Sequence, residues 1–407
     1  MSESPAEAAA AGPAAAPAVP AWQTDARAAG PLPAGRPDWW PRRHGPLPPG
    51  PHLDPDGRAV TFVLPDEPGV TPTKVWFHLR DFGADPRFRR AGDRWVARIP
   101  RPPADRLEYL LDVHGPDGTG GLLVDPTNPR RVRGVFGDHS VVEFPGYHAP
   151  AWLPATPTPP AEQGSLTPVE VRDPDADVTV TGAVWSPAGA RDDDPLGLLV
   201  VHDGPEYADL AALLDHLRWL SRTDPALATR ALLLQPVDRD RSYSASPAYA
   251  RALVEELLPE VRAAFGTRGP TVGLGASLGA LALLHAAATR PGSFGGLALQ
   301  SGSFFQPRYD AHEARFRYYD RVVETIARLH ASPQVLGGTV VGASCGTAEE
   351  NLDNNRALVR RLRDKGVRAT LTENRDGHNY TGWRDCLDPV LDGVLREVWG
   401  SADAGPR

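Results

Sequence analysis

The chain reads as a mostly parallel α/β sheet covered by helices on both faces and preceded by a small all-β sandwich. Three observations predict this. From about residue 165 onward, apolar strand-like runs alternate with helix-like runs. The motif Gly275-Ala276-Ser277-Leu278-Gly279 sits between one such strand and one such helix. Residues 55–147 carry short β-branched and aromatic runs separated by Gly, Pro and Asp clusters.

At 407 residues the chain exceeds one ordinary core, so two domains and a tail are expected. A net charge of −8 argues against nucleic acid or an anionic membrane as partner. The two cysteines, Cys345 and Cys386, make neither a disulfide framework nor a metal-ligand spacing. A reducing, cytoplasmic setting is expected. No run reaches the ~18 apolar residues of a membrane span, and the Ala/Pro-rich start with Glu3 and Glu7 lacks a secretory pattern.

In order along the chain, residues 1–51 read as a low-complexity tail, in which Trp39, Trp40 and Pro46-Leu47-Pro48-Pro49 could dock on a neighbouring surface. Residues 52–148 read as the β-sandwich, with strands at 60–64, 74–79, 94–99 and 107–113. Trp76 and Trp95 are assigned to core packing, with a sugar-stacking platform as the alternative. Asp125-Pro126-Thr127-Asn128-Pro129 reads as the turn that closes this domain. Residues 149–164 form a Pro-rich, semi-rigid linker. Residues 165–400 form the α/β domain, with strands at 178–185, 196–201, 231–234, 270–274, 294–301, 339–343 and 369–373. Helices are expected at 207–220, 249–265, 280–288, 354–365 and 383–399. The wholly apolar run Leu196-Gly197-Leu198-Leu199-Val200-Val201 is that of a strand buried on both faces.

Strand, Gly-x-Ser-x-Gly, helix is the context of a nucleophile elbow in an α/β-hydrolase. The turn is too tight for flanking side chains, and the helix behind Ser277 offers backbone N–H groups to a developing oxyanion. A serine of this kind needs a base and a group to orient that base. His378, in the loop after the last strand, is the expected base. The loop after residue 343 supplies the acid, with Glu349 favoured and Glu350 and Asp353 behind it. Asp376 is too near His378 in sequence to orient its ring. The Leu278 N–H and, after the 196–201 strand, the Gly204 N–H are the expected oxyanion donors, because Pro205 has no N–H. His202 is expected to pack at its strand end rather than act as a base, and Cys345 to be a small buried hydrophobe. No phosphate-binding loop or zinc spacing is present, so no cofactor or metal is expected.

These pieces together resemble the enterochelin (ferric enterobactin) esterase family, in which an Ig-like β domain precedes an α/β-hydrolase of the esterase D type. The carriers are His202-Asp203-Gly204 with Tyr207, Glu255-Glu256-Leu257-Leu258-Pro259 and the Ser277 motif. Cys345-Gly346-Thr347-Ala348-Glu349-Glu350-Asn351 and Gly377-His378-Asn379 with Trp383-Arg384 complete the set. The resemblance places nucleophile, acid and base on Ser277, Glu349 and His378. It implies a small-molecule ester substrate, such as the trilactone of a ferric catecholate siderophore. The chain departs from the family's usual pattern at Arg241-Ser242-Tyr243-Ser244-Ala245, which lacks a glutamate, and at Asn379, where an aspartate is common. A bulky anionic substrate would suit Arg239 and Arg241, just past a strand end, with Tyr207 as a further substrate-binding residue. Arg130, Arg131 and Arg133 are candidates for the same cleft, the alternative being a solvated basic loop. Competing functions are a carbohydrate-linked (feruloyl or acetyl) esterase, an esterase of a biosynthetic cluster, and a non-catalytic binding protein on the same fold.

Overall fold

The computed structural model describes residues 47–77, 85–115, 120–135, 137–173 and 178–400. Residues 1–46 of the expected tail, including Trp39 and Trp40, and the end of the 74–79 run lie outside the described residues.

Strands β1 (Gly50–Leu53), β2 (Ala59–Pro65), β3 (Thr71–Trp76), β4 (Arg89–Arg90), β5 (Arg94–Pro100), β6 (Arg106–His114), β7 (Gly120–Leu123), β8 (Arg131–Val132) and β9 (His139–Glu143) build two antiparallel sheets. Their orders are β1-β2-β5-β4 and β3-β6-β9-β8, with β7 also pairing β6. Period-two alternation turns Leu107, Tyr109 and Leu111 of β6 inward against Phe62, Phe88 and Ile99. Trp95 packs on this core while its indole N–H donates to Asp66 Oδ1 at 3.0 Å. The Asp125 turn does not close the domain. Asp125 is fully buried, accepts from the Tyr109 hydroxyl at 2.7 Å and donates its N–H to Ser140 Oγ at 2.8 Å. It therefore ties β6 to β9, and the chain pairs two further short strands after it.

The second sheet holds β10 (Ser165–Asp173), β11 (Val178–Ser186), β12 (Leu196–His202), β13 (Thr229–Pro236), β14 (Thr267–Ala276), β15 (Gly296–Gln300), β16 (Val340–Gly346) and β17 (Ala369–Asn374). Its order is β10-β11-β13-β12-β14-β15-β16-β17. β11 pairs antiparallel with both neighbours, and every pair from β13 to β17 is parallel. β10 was not expected, because Pro168 weakens a strand reading. It lies on the sheet edge, where a missing N–H is tolerated.

Alternation again sorts the side chains. Leu198 and Val200 of β12 enter one core, with helices Leu258–Ala264, Leu278–Thr289, Tyr319–Ala331 and Leu352–Asp364. Leu199 and Val201 enter the other, with helices Leu213–Thr223 and Asp392–Trp399. Each fully buried Leu or Val contributes about 1.5–3 kcal/mol. The helix after Ser277 is apolar all round and buried over residues 278–287, as expected of a helix inside a core.

Two expected helices are broken. Residues 204–223 form Gly204–Leu210 and Leu213–Thr223, with Ala212 at φ 49° between them. The second helix starts afresh at Leu213 and buries Leu213, His216, Leu217, Arg218 and Leu220. Residues 383–399 are interrupted at Asp388 (φ −101°, ψ 122°), because a residue before proline disfavours the helical region. The helix Tyr319–Ala331 went unread in the sequence. The Pro-rich stretch 149–164 is bound along the second core: Trp152 is buried edge-on to His216 at 4.6 Å, and the Gln163 carbonyl accepts from the Trp185 indole at 2.8 Å. Among the described residues, no helix is long and apolar enough to cross a membrane.

Candidate active site

β14 ends at Ala276 and a helix begins at Leu278, leaving Ser277 to make the turn at φ 54°, ψ −124°. A non-glycine residue holds such a conformation at a cost of about 1–3 kcal/mol, so the surroundings must enforce it. They do. A Cβ on Gly275 would lie 2.8 Å from the Gly279 backbone, and one on Gly279 would lie 3.0 Å from His202 Cβ. Only glycine lets strand, turn and helix approach this closely. The Ser277 N–H is fixed to the Gln300 carbonyl at 2.9 Å, and its hydroxyl lies 3.1 Å from Ser303 Oγ.

Glu349 and His378 follow the C-terminal ends of β16 and β17, at the same sheet edge as Ser277. His378 Nδ1 meets Glu349 Oε2 at 2.5 Å. Because a carboxylate only accepts, Nδ1 is the donor and carries the proton. Glu349 is 2% exposed, and its Oε1 accepts from the Ser301 hydroxyl at 2.6 Å and the Gly346 N–H at 2.5 Å. Burial pushes the Glu349 carboxyl up, but His378 and these donors outweigh it and hold it below its usual value. Burial would also lower the imidazole, and the Glu349 charge reverses this, so His378 sits above its usual 6.5. Glu350 instead lies on the surface 3.3 Å from His312, and Asp353 is 3.5 Å from Arg356.

Ser301 and Ser303, which the sequence reading passed over, and Trp383, to which it gave no role in the site, complete this network. Ser301, at φ 48°, accepts from the Trp383 indole at 2.9 Å while it donates to Glu349. The Trp383 ring stands edge-on to His378 at 5.0 Å. Ser303 approaches Ser277. Ser301 and Ser303 follow a parallel strand's C-terminal end directly, which is the one sequence signal that could have found them.

His202 is wholly buried. Nδ1 faces the Gly279 carbonyl at 2.8 Å and must donate to it, so Nε2 accepts from the Tyr249 hydroxyl at 2.9 Å. Burial pushes this imidazole down to about 4, so it braces the elbow as a neutral ring. Gly204 and Leu278 each begin a helix, and a first-turn N–H has no acceptor within its own helix. A Cβ on Gly204 would stand 2.4 Å from Leu233 Cα. Gly204→Ala is therefore expected to lower stability by about 1–3 kcal/mol, read by urea unfolding, and to lower kcat more than it raises KM.

The expected substrate residues fare differently. Tyr207 is fully buried and donates to Gln300 Oε1 at 2.7 Å, with its ring packed on Tyr380 and Trp383. It packs against Trp383 and has no exposed surface. Arg239 grips Asp203 through Nε and Nη2, each at 2.7 Å, and lies over the Tyr243 ring. Its charge is matched by that carboxylate, itself 3% exposed. Arg239→Ala should thus lower stability, by less than the about 3–5 kcal/mol of a fully buried pair because the guanidinium is part exposed. A shift in urea midpoint checks this. Arg241 is half-buried in the same short helix, and its carbonyl accepts from Arg321 at 2.7 Å. Arg133 pairs with Asp209 at 2.5 Å. Arg130 and Arg131 line a cleft of 330 Å³ with Arg106, Tyr147, Thr381 and Arg384, and neither Ser277, Glu349 nor His378 lines it. Arg130 there pairs with Glu143.

Comparison with known proteins adds to this geometry. A family model described as "Putative esterase" matches residues 235–393, which include Ser277, Glu349 and His378. No curated protein matches the chain. Among solved structures, the ferric enterobactin esterase from Salmonella typhimurium is 22% identical, with a TM-score of 0.66 over 86% of this chain and 96% of that one. The enterochelin esterase from Shigella flexneri is 21% identical, with a TM-score of 0.65 over 91% of this chain and 99% of that one. The Shigella flexneri enterobactin esterase solved in the presence of enterobactin is 20% identical, with a TM-score of 0.64 over 86% and 96%. The chain shares the fold of these proteins, an α/β-hydrolase with an N-terminal all-β domain.

Proposed function

We propose that the chain is a serine esterase in which Ser277 is the nucleophile, His378 the general base and acid, and Glu349 the group that orients His378. The observation that carries this reading is the buried Glu349–His378 hydrogen bond at the same sheet edge as the strained Ser277. In the first step His378 Nε2 takes the Ser277 proton while Oγ attacks the ester carbonyl. The N–H groups of Leu278 and Gly204 receive the oxyanion. His378 then protonates the leaving alcohol, and in the second step it activates water against the acyl-enzyme. The base must be neutral to act. Because Glu349 holds His378 above 6.5, the acid limb of kcat/KM is expected above pH 6.5. A limb well below that value would contradict the pairing.

For the substrate we infer an ester of a catecholate siderophore, with ferric iron as cargo and Arg241 as the better-placed candidate for its anionic arms. The support is the resemblance to enterobactin esterases along almost the whole chain, β domain included. Cytoplasmic release of iron goes with that reading. Hydrolysis of ferric enterobactin beside a p-nitrophenyl ester, followed by product chromatography, tests it. Serine-dependent opening of the trilactone is expected, and cleavage of the simple ester alone would move the substrate to another ester class.

A further inference from the structure

We propose that the β domain takes part in hydrolysis through Arg106, a positioning residue that holds the loop presenting His378. The proposal rests on the esterase reading above. Arg106 begins β6 and is 3% exposed. Its Nη2 donates to Glu108 at 2.9 Å within the β domain, and its Nη1 reaches out of that domain to Asp376 Oδ2 at 3.3 Å. Asp376 stands two residues before His378. Its other oxygen accepts from the Gly377 N–H at 2.7 Å and from Asn379 Nδ2 at 2.9 Å, so one carboxylate grips the chain on both sides of the histidine. Asn379 in turn accepts from the Gly382 N–H at 2.8 Å and caps the helix that carries Trp383.

The neighbours of Arg106 make the same connection. The Asp105 N–H donates to the Arg375 carbonyl at 2.7 Å, and Arg375 Nε returns to Asp105 Oδ1 at 2.9 Å. The Thr347 hydroxyl donates to the Pro103 carbonyl, two residues before Glu349. The Asp376 carbonyl accepts from the Ala348 N–H at 3.2 Å. One short β-domain segment thus touches both the acid loop and the histidine loop. A buried ion pair is a weak device for stability, since apolar side chains of similar volume serve as well. It is a directional device, and a displacement of about 1 Å in a catalytic group can cost about 100-fold in rate.

The charges around Asp376 give the proposal a second readout. Arg106 and Glu108 face it from β6, Asn379 from its own loop, and the Cys386 thiol from the segment behind; Arg106 also lies over the Tyr147 ring at 5.7 Å. Burial pushes the Asp376 carboxyl up, to about 6, with Arg106 the leading group that opposes it. Without Arg106 the carboxyl would keep its proton to higher pH and, once protonated, lose part of its grip on the loop.

The test uses the full chain, a p-nitrophenyl ester and counting of reactive serines with a fluorophosphonate taken to completion. For Arg106→Met, kcat per labelled site is expected to fall about 10–100-fold with KM little changed, and the acid limb to move to higher pH. Arg106→Lys should return the limb but only part of kcat, because a point charge does not span both carboxylates. Adding Asp376→Asn to Arg106→Met removes the orphaned carboxyl and should recover part of kcat. Wild-type kcat per site in Arg106→Met, or a loss with an unmoved limb and no recovery in the double variant, overturns the proposal. If Arg106→Met does not fold, Asp376→Asn decides alone: it leaves Arg106 its Glu108 partner and should lower kcat at constant KM, and an unaltered kcat refutes the idea. Failure of the fluorophosphonate to label Ser277 in the wild type would instead refute the esterase reading, whatever the Arg106 variants do.

Discussion

Ser277→Ala is expected to lower kcat by about 10⁴-fold or more while leaving the melting temperature near that of the wild type. The two halves of this expectation have separate causes. Chemistry fails because the hydroxyl is the only atom removed, and water lacks the fixed position that Oγ holds at the elbow. The fold persists because alanine keeps the Cβ, and the turn at φ 54° is enforced by the packing of Gly275 against Gly279 and of Gly279 against His202. The hydroxyl's partner, Ser303 at 3.1 Å, is a neighbour in the same site rather than a structural anchor. Rates with a p-nitrophenyl ester, together with thermal melts, check both halves. Activity within tenfold of wild type, or a collapsed fold, would count against the assignment.

The second large effect is that of Glu349→Gln, for which we expect kcat to fall about 10³–10⁴-fold. The amide is nearly isosteric, so the buried site still packs, but its NH₂ can face Nδ1 and favour the wrong imidazole tautomer. The pH profile should respond as well. Glu349 holds His378 above its usual value against the effect of burial. With the charge removed, burial acts unopposed, the imidazole loses its proton more readily, and the acid limb moves to lower pH. This is the opposite direction to that expected for Arg106→Met, so the two variants can be told apart on one instrument. A Glu349→Gln profile that keeps the wild-type limb would place the orienting acid elsewhere.

The placement of the three candidate residues was more legible in the sequence than the groups around them. Ser277 is marked by two glycines between a strand and a helix, and His378 and Glu349 by their positions after successive strands. All three follow from chain order in a parallel sheet. The spacing alone could not separate Glu349 from Glu350, because adjacent residues after a strand point in different directions and only the loop's course decides which is buried. Ser301, Trp383 and Arg106 were not legible as a group, since they lie 48, 34 and 243 residues from Glu349 and meet only in the folded chain. The expected substrate residues have scaffold contacts that the sequence could not show. Tyr207 and Arg239 sit beside a strand end, where ligands bind, but a phenol and a guanidinium there can equally serve the scaffold, and Gln300 and Asp203 claim them. In the fold, the central parallel strands β12 and β13 announced themselves as apolar runs. β10 was masked by Pro168, and the breaks at Ala212 and Asp388, the second set by a following proline, leave the apolar pattern uninterrupted.

The most direct test is to mix the protein with an excess of an activated ester, quench within the first turnovers and weigh the intact chain, then map any adduct by peptide mass. The account predicts one acyl group per chain, carried on the peptide that contains Ser277 and missing in Ser277→Ala. Turnover of the same ester at an undiminished rate by Ser277→Ala, with no adduct on that peptide in the wild type, would contradict it.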